Sequence, residues 1–205
     1  MRSRIATAFV LTVSLWMCPA NAGASVTLTL DPAHQMVDLG GTARVTIGIS
    51  GLGLMDSPAL SMFTIALAFD PTILSVNGVV FGDPVASMDY LAPSGPTGSQ
   101  TTAGVTAPGT LALSELSLEL PAALVNAQPD AFGLATVTFD AVGLGTSPLI
   151  SGGVLLVDEL GGPLWPDPLF ISGSVTVQAV PVPGAAVLGL VGIVFTARLR
   201  RSHFL

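Results

Sequence analysis

The sequence predicts an all-β fold, a two-sheet sandwich with a sorting segment at each end of its 205 residues. Three observations carry this. Apolar side chains recur at every second position in short runs, the period of half-buried strands. The runs end at Pro, Gly and Asn, the residues that turn a chain out of a sheet. Between residues 25 and 178 no stretch repeats its apolar residues at helical spacing over the length of a helix.

The clearest unit spans residues 60–82. Phe63, Ile65, Leu67 and Phe69 share one parity and Thr64, Ala66 and Ala68 the other. Asp70-Pro71 stops the strand, because proline has no N–H for a ladder and restricts the residue before it. The Asn77-Gly78 pair predicts a turn, followed by a short strand over residues 79–81.

The other elements follow in chain order. Residues 1–22 read as a cleaved signal peptide, with Arg2 and Arg4 before an apolar run at residues 5–17 and the small residues Ala20 and Ala22 at the cleavage site. Cleavage is expected after Ala22, with Ala24 the second choice. The apolar run is shorter than the ~20 residues a membrane span needs, which argues against an uncleaved anchor. Val26, Leu28 and Leu30 form one strand face, ended by Asp31-Pro32. Val45, Ile47 and Ile49 form another between Gly40-Gly41 and Gly51-Leu52-Gly53.

Residues 92–108 are small, polar and rich in Pro and Gly, and predict a mobile surface loop. Leu111 and Leu113 then fall on odd positions but Leu116, Leu118 and Leu120 on even ones, which predicts a bulge near Ser114 or Glu115. Pro121 is placed to open a single helical turn through residue 125. Phe132 and Leu134 shift parity into Val137, Phe139 and Ala141. An apolar run at residues 154–157, a turn at 158–163 and a last strand at 171–177 complete the domain, residues 25–178.

Charge narrows the function. Lysine is absent, and five of the six arginines lie in the two terminal segments, leaving Arg44 alone against all thirteen carboxylates, a formal −12. Such a domain repels nucleic acid and anionic lipid. The single cysteine, Cys18, departs with the signal peptide, so no disulfide is available.

After the domain come Pro181-Val182-Pro183, an uncharged stretch at residues 184–197, and Arg198, Arg200 and Arg201. Fourteen residues rise only about 21 Å as a helix, but residues 180–199 reach the ~30 Å of a hydrocarbon core. The arginines belong on the cytoplasmic side, which places the acidic domain outside. This tail resembles the PEP-CTERM sorting signal of Gram-negative bacteria, with Val182 standing where the motif has its central Glu. The resemblance implies a membrane helix over about residues 184–199, an Arg cluster at 198–201, recognition and cleavage by an exosortase-type membrane protease, and release to the outer surface or exopolysaccharide matrix. A permanent single-span anchor is the alternative.

Within the domain, the succession FDPTILSV, VVFG, AQPDAFGLATVTFDAVGLGTSPL and LVDELGGPL before a last strand resembles cohesin-like domains of bacterial surface proteins. The resemblance implies a jelly-roll sandwich of about nine strands that binds or scaffolds rather than catalyses.

Candidate chemistry is sparse. The exported segment has one histidine, His34, and neither lysine nor cysteine, which rules out Cys-His, Lys-based and His-cluster chemistry within it. No G-x-S-x-G elbow surrounds a serine. Glu115 and Glu119 would lie about 13 Å apart on a regular strand at ~3.3 Å per residue, against the roughly 5 to 9.5 Å of glycosidase carboxyl pairs. Catalysis is therefore not expected. Asp70, Asp158 and Glu159, at strand ends, are weak calcium candidates whose other role is to cap turn N–H groups. Trp165, flanked by prolines, is the weak ligand-binding candidate, a sugar-stacking ring that Tyr90 would have to join. The expectation is an exported non-enzymatic module with an unidentified protein or matrix partner and no cofactor; the alternative is a carbohydrate-binding module for exopolysaccharide.

Overall fold

The computed structural model describes residues 25–54, 56–164 and 167–180. The expected signal peptide, Trp165 and the tail at residues 181–205 lie outside the described residues. Among the described residues no helix is long and apolar enough to cross a membrane.

Among the described residues eleven strands and one short helix make up the domain, two strands more than the sequence-based expectation. They are β1 (Thr27–Asp31), β2 (His34–Asp38), β3 (Thr42–Ser50), β4 (Leu60–Ala68), β5 (Leu74–Phe81), β6 (Ser99–Ala107), β7 (Thr110–Ser117), α1 (Pro121–Ala127), β8 (Ala131–Ala141), β9 (Gly145–Asp158), β10 (Leu169–Phe170) and β11 (Gly173–Gln178). One sheet runs β10-β1-β3-β8-β5 and the other β2-β11-β9-β4-β7-β6. Their inner faces close on one core. Long-range antiparallel pairing dominates, and only β1 with β10 and β2 with β11 pair in parallel.

β4 sits between β9 and β7. Phe63, Ile65 and Leu67 are completely buried and Phe69 nearly so, as their parity predicts. Across the core, Phe69 meets Phe139 of β8 with ring centroids 5.4 Å apart. The parity change after Leu134 is real: Ala135 pairs with Ile47 and Gly133 with Gly48, so β8 bulges there and turns Val137, Phe139 and Ala141 inward. Pro121 opens the helix as expected.

Three expectations are corrected. β7 pairs with β4 without a break from Thr110 to Leu116, so there is no bulge at Ser114 or Glu115. Instead Glu115 points inward with Leu111 and Leu113, while Leu116 and Leu118 face solvent; an inward acid imitates a parity change. Residues 92–108 are not a mobile loop, because Ser99–Ala107 is strand β6. It is exposed along nearly its whole length, so nothing demands alternating apolar residues. Asn77-Gly78 lies within β5, where the register slips between Val76 and Gly78, and makes a bulge rather than a hairpin turn. The Asn77 amide donates to both Asp140 carboxylate oxygens at 2.8 and 3.0 Å, which holds that bulge on β8.

Phe63→Ala is expected to cost about 3–5 kcal/mol, since it empties the centre of a close-packed core, whereas Thr64→Ala on the opposite face costs below about 1 kcal/mol. Urea denaturation of both variants measures this, and equal losses would contradict the assigned facing of β4.

Candidate functional site

The outward positions of the β9-β4-β7-β6 half-sheet line up across the strands. Reading across, Leu155, Thr64, Ser114 and Thr102 form one row, and Gly153, Ala66, Ala112 and Gly104 the next. Met62, Leu116 and Gln100 border the first row, and Ile150, Ala68 and Thr110 border the second. None of these residues carries a charge, in a domain with thirteen carboxylates. Ile150, Leu155 and Leu116 are 48%, 47% and 41% exposed, so apolar side chains rise on either side of a row with no side chain larger than a methyl. A Cβ at Gly104 or Gly153 would meet nothing within 4 Å. Packing therefore does not require glycine at either place, although the φ of +159° at Gly153 favours it there, and their bareness flattens the surface.

The outer face of the other sheet has different chemistry. Thr29, Thr46, Thr136 and Thr138 cover it, with Arg44 and Asp140 among them. The segment after β5 stands over this face. Asp83 anchors it: its carboxylate accepts N–H bonds from Val85 at 2.7 Å, Ala86 at 2.9 Å and, across to β8, Gly133 at 2.7 Å. Burial opposes its ionisation, but these three bonds outweigh burial and hold the Asp83 pKa below 3.8. On one side of the segment is a groove of about 480 Å³ reaching Arg44 and Thr138. A second, of about 490 Å³, runs toward Ser99 and Thr101 of β6, and Phe81, Met88 and Asp89 line both.

The predicted site residues are dispersed. Asp70 Oδ1 accepts the Thr72 N–H at 2.8 Å and its hydroxyl at 2.6 Å, and these bonds lower the Asp70 pKa. Asp158 Oδ1 accepts N–H bonds from Leu160 and Gly162, and Glu159 binds the Ser57 hydroxyl and the Ala59 N–H. Asp158 pairs with Leu60 at the start of β4 while Asp70 follows its end, about 30 Å away at ~3.3 Å per residue. The three weak calcium candidates therefore cannot share one ion. Among the described residues no three of His, Cys, Asp and Glu converge as a metal cluster. His34 Nδ1 lies 2.9 Å from Ser174 Oγ on an exposed strand pair, and among the described residues no carboxylate hydrogen-bonds its ring. Glu119 accepts from the N–H and hydroxyl of Ser94, whereas Glu115 is buried, so the two glutamates serve separate surroundings. Tyr90 packs on Phe132 at 4.9 Å between centroids. The expected cleavage-site residues Ala20 and Ala22, the Pro181-Val182-Pro183 stretch, Arg198, Arg200, Arg201 and Trp165 lie outside the described residues.

Sequence reasoning missed the buried polar groups. Gln128 bridges to β4, accepting the Leu60 N–H at 2.6 Å and donating to the Leu60 carbonyl at 2.7 Å. Ser147 accepts the Asp70 N–H at 2.8 Å. Glu115 is wholly buried, and neither carboxylate oxygen has a hydrogen-bond partner among the described residues. Burial first, and then the neighbouring Asp89, push its pKa from an ordinary 4.5 up to about 8.

No protein-family model matches the chain, and no curated protein does. Solved structures do. A non-cellulosomal cohesin from Archaeoglobus fulgidus is 16% identical, with a TM-score of 0.55 over 76% of this chain and 93% of that one. The seventh ScaB type I cohesin of Pseudobacteroides cellulosolvens is 15% identical, with a TM-score of 0.58 over 78% and 96%. This chain has a cohesin-like fold. A cohesin in a type I cohesin–dockerin complex from Clostridium thermocellum is 12% identical, at a TM-score of 0.58 over 75% and 99%. At these identities the likeness establishes the cohesin-like architecture.

Replacing Asp83 by Ala leaves the partly buried Gly133 N–H without its acceptor and is expected to cost about 1–3 kcal/mol at pH 7. Because the folded pKa is depressed, the Asp83 contribution is present above the ordinary carboxylate range and fades as pH falls through the folded value. Denaturation curves should show the gap between wild type and Asp83→Ala narrowing as the pH is lowered below the ordinary carboxylate range; a gap of constant size would contradict the anchoring role.

Proposed function

We propose that the chain is an exported, non-enzymatic interaction module that holds a protein partner on the outer face of β9-β4-β7-β6. The supporting observation is the uncharged, flattened patch on an otherwise acidic domain. Exposed apolar side chains beside a row of glycine and alanine let another backbone approach closely, and no charge there has to lose its water. Chains of similar architecture are solved in complex with dockerins, which supports a protein as the partner class. The signal peptide exports the module, and the carboxy-terminal tail presents it to an exosortase-type protease for release to the cell surface or matrix.

Polysaccharide binding is the competing reading and rests on Trp165. Tyr90, the ring needed to extend that platform, is packed against Phe132.

Gly104→Glu tests the patch, because the new side chain enters open space and should leave the melting temperature unchanged. Affinity capture from the secreted fraction should recover a defined protein with the wild-type chain and at least about tenfold less with Gly104→Glu, the effect of losing ~1.4 kcal/mol. Equal recovery, or retention on purified exopolysaccharide that Trp165→Ala abolishes, would overturn this assignment. Mass spectrometry of the surface fraction should find a mature protein lacking Arg198, Arg200 and Arg201; one still ending at Leu205 would contradict processing.

A further inference from the structure

The two sheets end in four edge strands, β10, β5, β2 and β6. Three of them are blunted. β10 is 2 residues long, and β2 is 5 residues long and ends on Asp38. β5 is interrupted by the bulge between Val76 and Gly78, which Asn77 holds onto Asp140. Short length, charge and bulges are the devices that keep an edge from pairing with another chain. β6 lacks them: its 9 residues, SQTTAGVTA, include no charge and no proline, and its register is unbroken from Ser99 to Val105.

The free edge of β6 is open. Among the described residues β6 pairs with β7 alone, and no loop backbone hydrogen-bonds to it. Which of its groups point outward follows from the ladder. The Leu118 N–H donates to the Gly98 carbonyl at 2.7 Å, and these two residues continue the register that sets Ser99 opposite Ser117. Hydrogen-bonded pairs recur at every second residue of an antiparallel ladder. Gln100, Thr102 and Gly104 therefore turn their N–H and C=O groups to β7, while Thr101, Ala103 and Val105 turn theirs away from the sheet. All three of the latter are exposed.

We propose that β6 pairs with β6 of a second copy of this chain, antiparallel about a two-fold axis at Ala103, joining two six-stranded sheets into one. Charge favours a second copy as the occupant. Each domain carries a formal −12, so two copies meet at least cost where neither presents an acid, and β6 is such a place. The strand is also complementary to itself. About that axis Thr101 lies opposite Val105 of the second copy, a pair of β-branched residues of the kind that packs well across strands. Ala103 lies opposite its own equivalent and leaves the axis uncrowded. Three hydrogen-bonded pairs would exchange about six backbone bonds. A single strand edge is a small contact beside the ~1,200–2,000 Å² of stable interfaces, so the dimer dissociates on dilution and forms where chains are crowded. This pairing uses the edge of the sheet and does not depend on which molecule occupies its outer face.

The test is sedimentation equilibrium of the full-length chain in mild detergent from about 10 μM to about 1 mM, with the wild type expected to follow a monomer–dimer equilibrium. Ala103→Lys sets two like charges opposite each other and should weaken the dimer at least about tenfold. Thr101→Pro removes an outward N–H while sparing the ladder to β7. It should weaken the dimer as much, leave Tm nearly unchanged, and give a second reading should Ala103→Lys fail to fold. Ala103→Cys provides a geometric check. Opposite residues of a hydrogen-bonded pair have Cα atoms ~5.5 Å apart, within disulfide reach. Ala103→Cys should therefore oxidise to a covalent dimer faster than Ala112→Cys on β7, above the background that Cys18 gives in the wild type. A wild type monomeric throughout that range would leave the edge to a strand of another protein and overturn the proposal. So would a folded Ala103→Lys or Thr101→Pro chain that dimerises as the wild type does, or Ala103→Cys cross-linking no faster than Ala112→Cys.

Discussion

The structure depends on the double-sided pairing of β4. Its backbone is committed to β9 on one edge and β7 on the other, and Phe63, Ile65 and Leu67 are completely buried beneath it. With period two, fixing those three residues inward fixes Thr64, Ala66 and Ala68 outward. A one-residue slip would expose two large aliphatic residues and a phenylalanine, so the register has no close competitor. The pairings then carry the same assignment sideways to Ser114 and Ala112 on β7, to Thr102 and Gly104 on β6, and to Leu155 and Gly153 on β9. Core and proposed docking face are thus two sides of one constraint.

That constraint also explains what could be read from the chain alone. β4 was legible because its two faces differ strongly, and the shift after Leu134 because both of its flanks are apolar. β6 was hidden because both of its faces meet solvent, which leaves Thr, Ala and Gly free to look like a loop. Glu115 was misread because alternation assumes that inward residues are apolar. The proposed docking face was not legible at all. Its Ala, Gly, Ser and Thr are unremarkable singly, and they become rows only through the register of strands distant in sequence. Asp89 and Glu115 are 26 positions apart in number, and only the folding of the segment after β5 brings them together.

The placement of charge gives the two outer faces different uses. Threonines with Arg44 and Asp140 keep one face hydrated, and the Asp83-anchored segment covers part of it. Seven of the thirteen acids are spent locally: Asp56, Asp70, Asp83, Asp89, Asp158, Glu119 and Glu159 each accept a bond from a backbone N–H. The β9-β4-β7-β6 face carries none of them. On the proposed function, an acidic surface with one neutral window directs association to that window.

The most direct measurement is hydroxyl-radical footprinting of the chain with and without its captured protein. Oxidation of Met62, Leu116, Ile150 and Leu155 should fall on binding while that of Val80, exposed on the opposite sheet, stays unchanged. Protection of Val80 with the other four left reactive would show that the partner sits on the threonine face and would contradict the central claim.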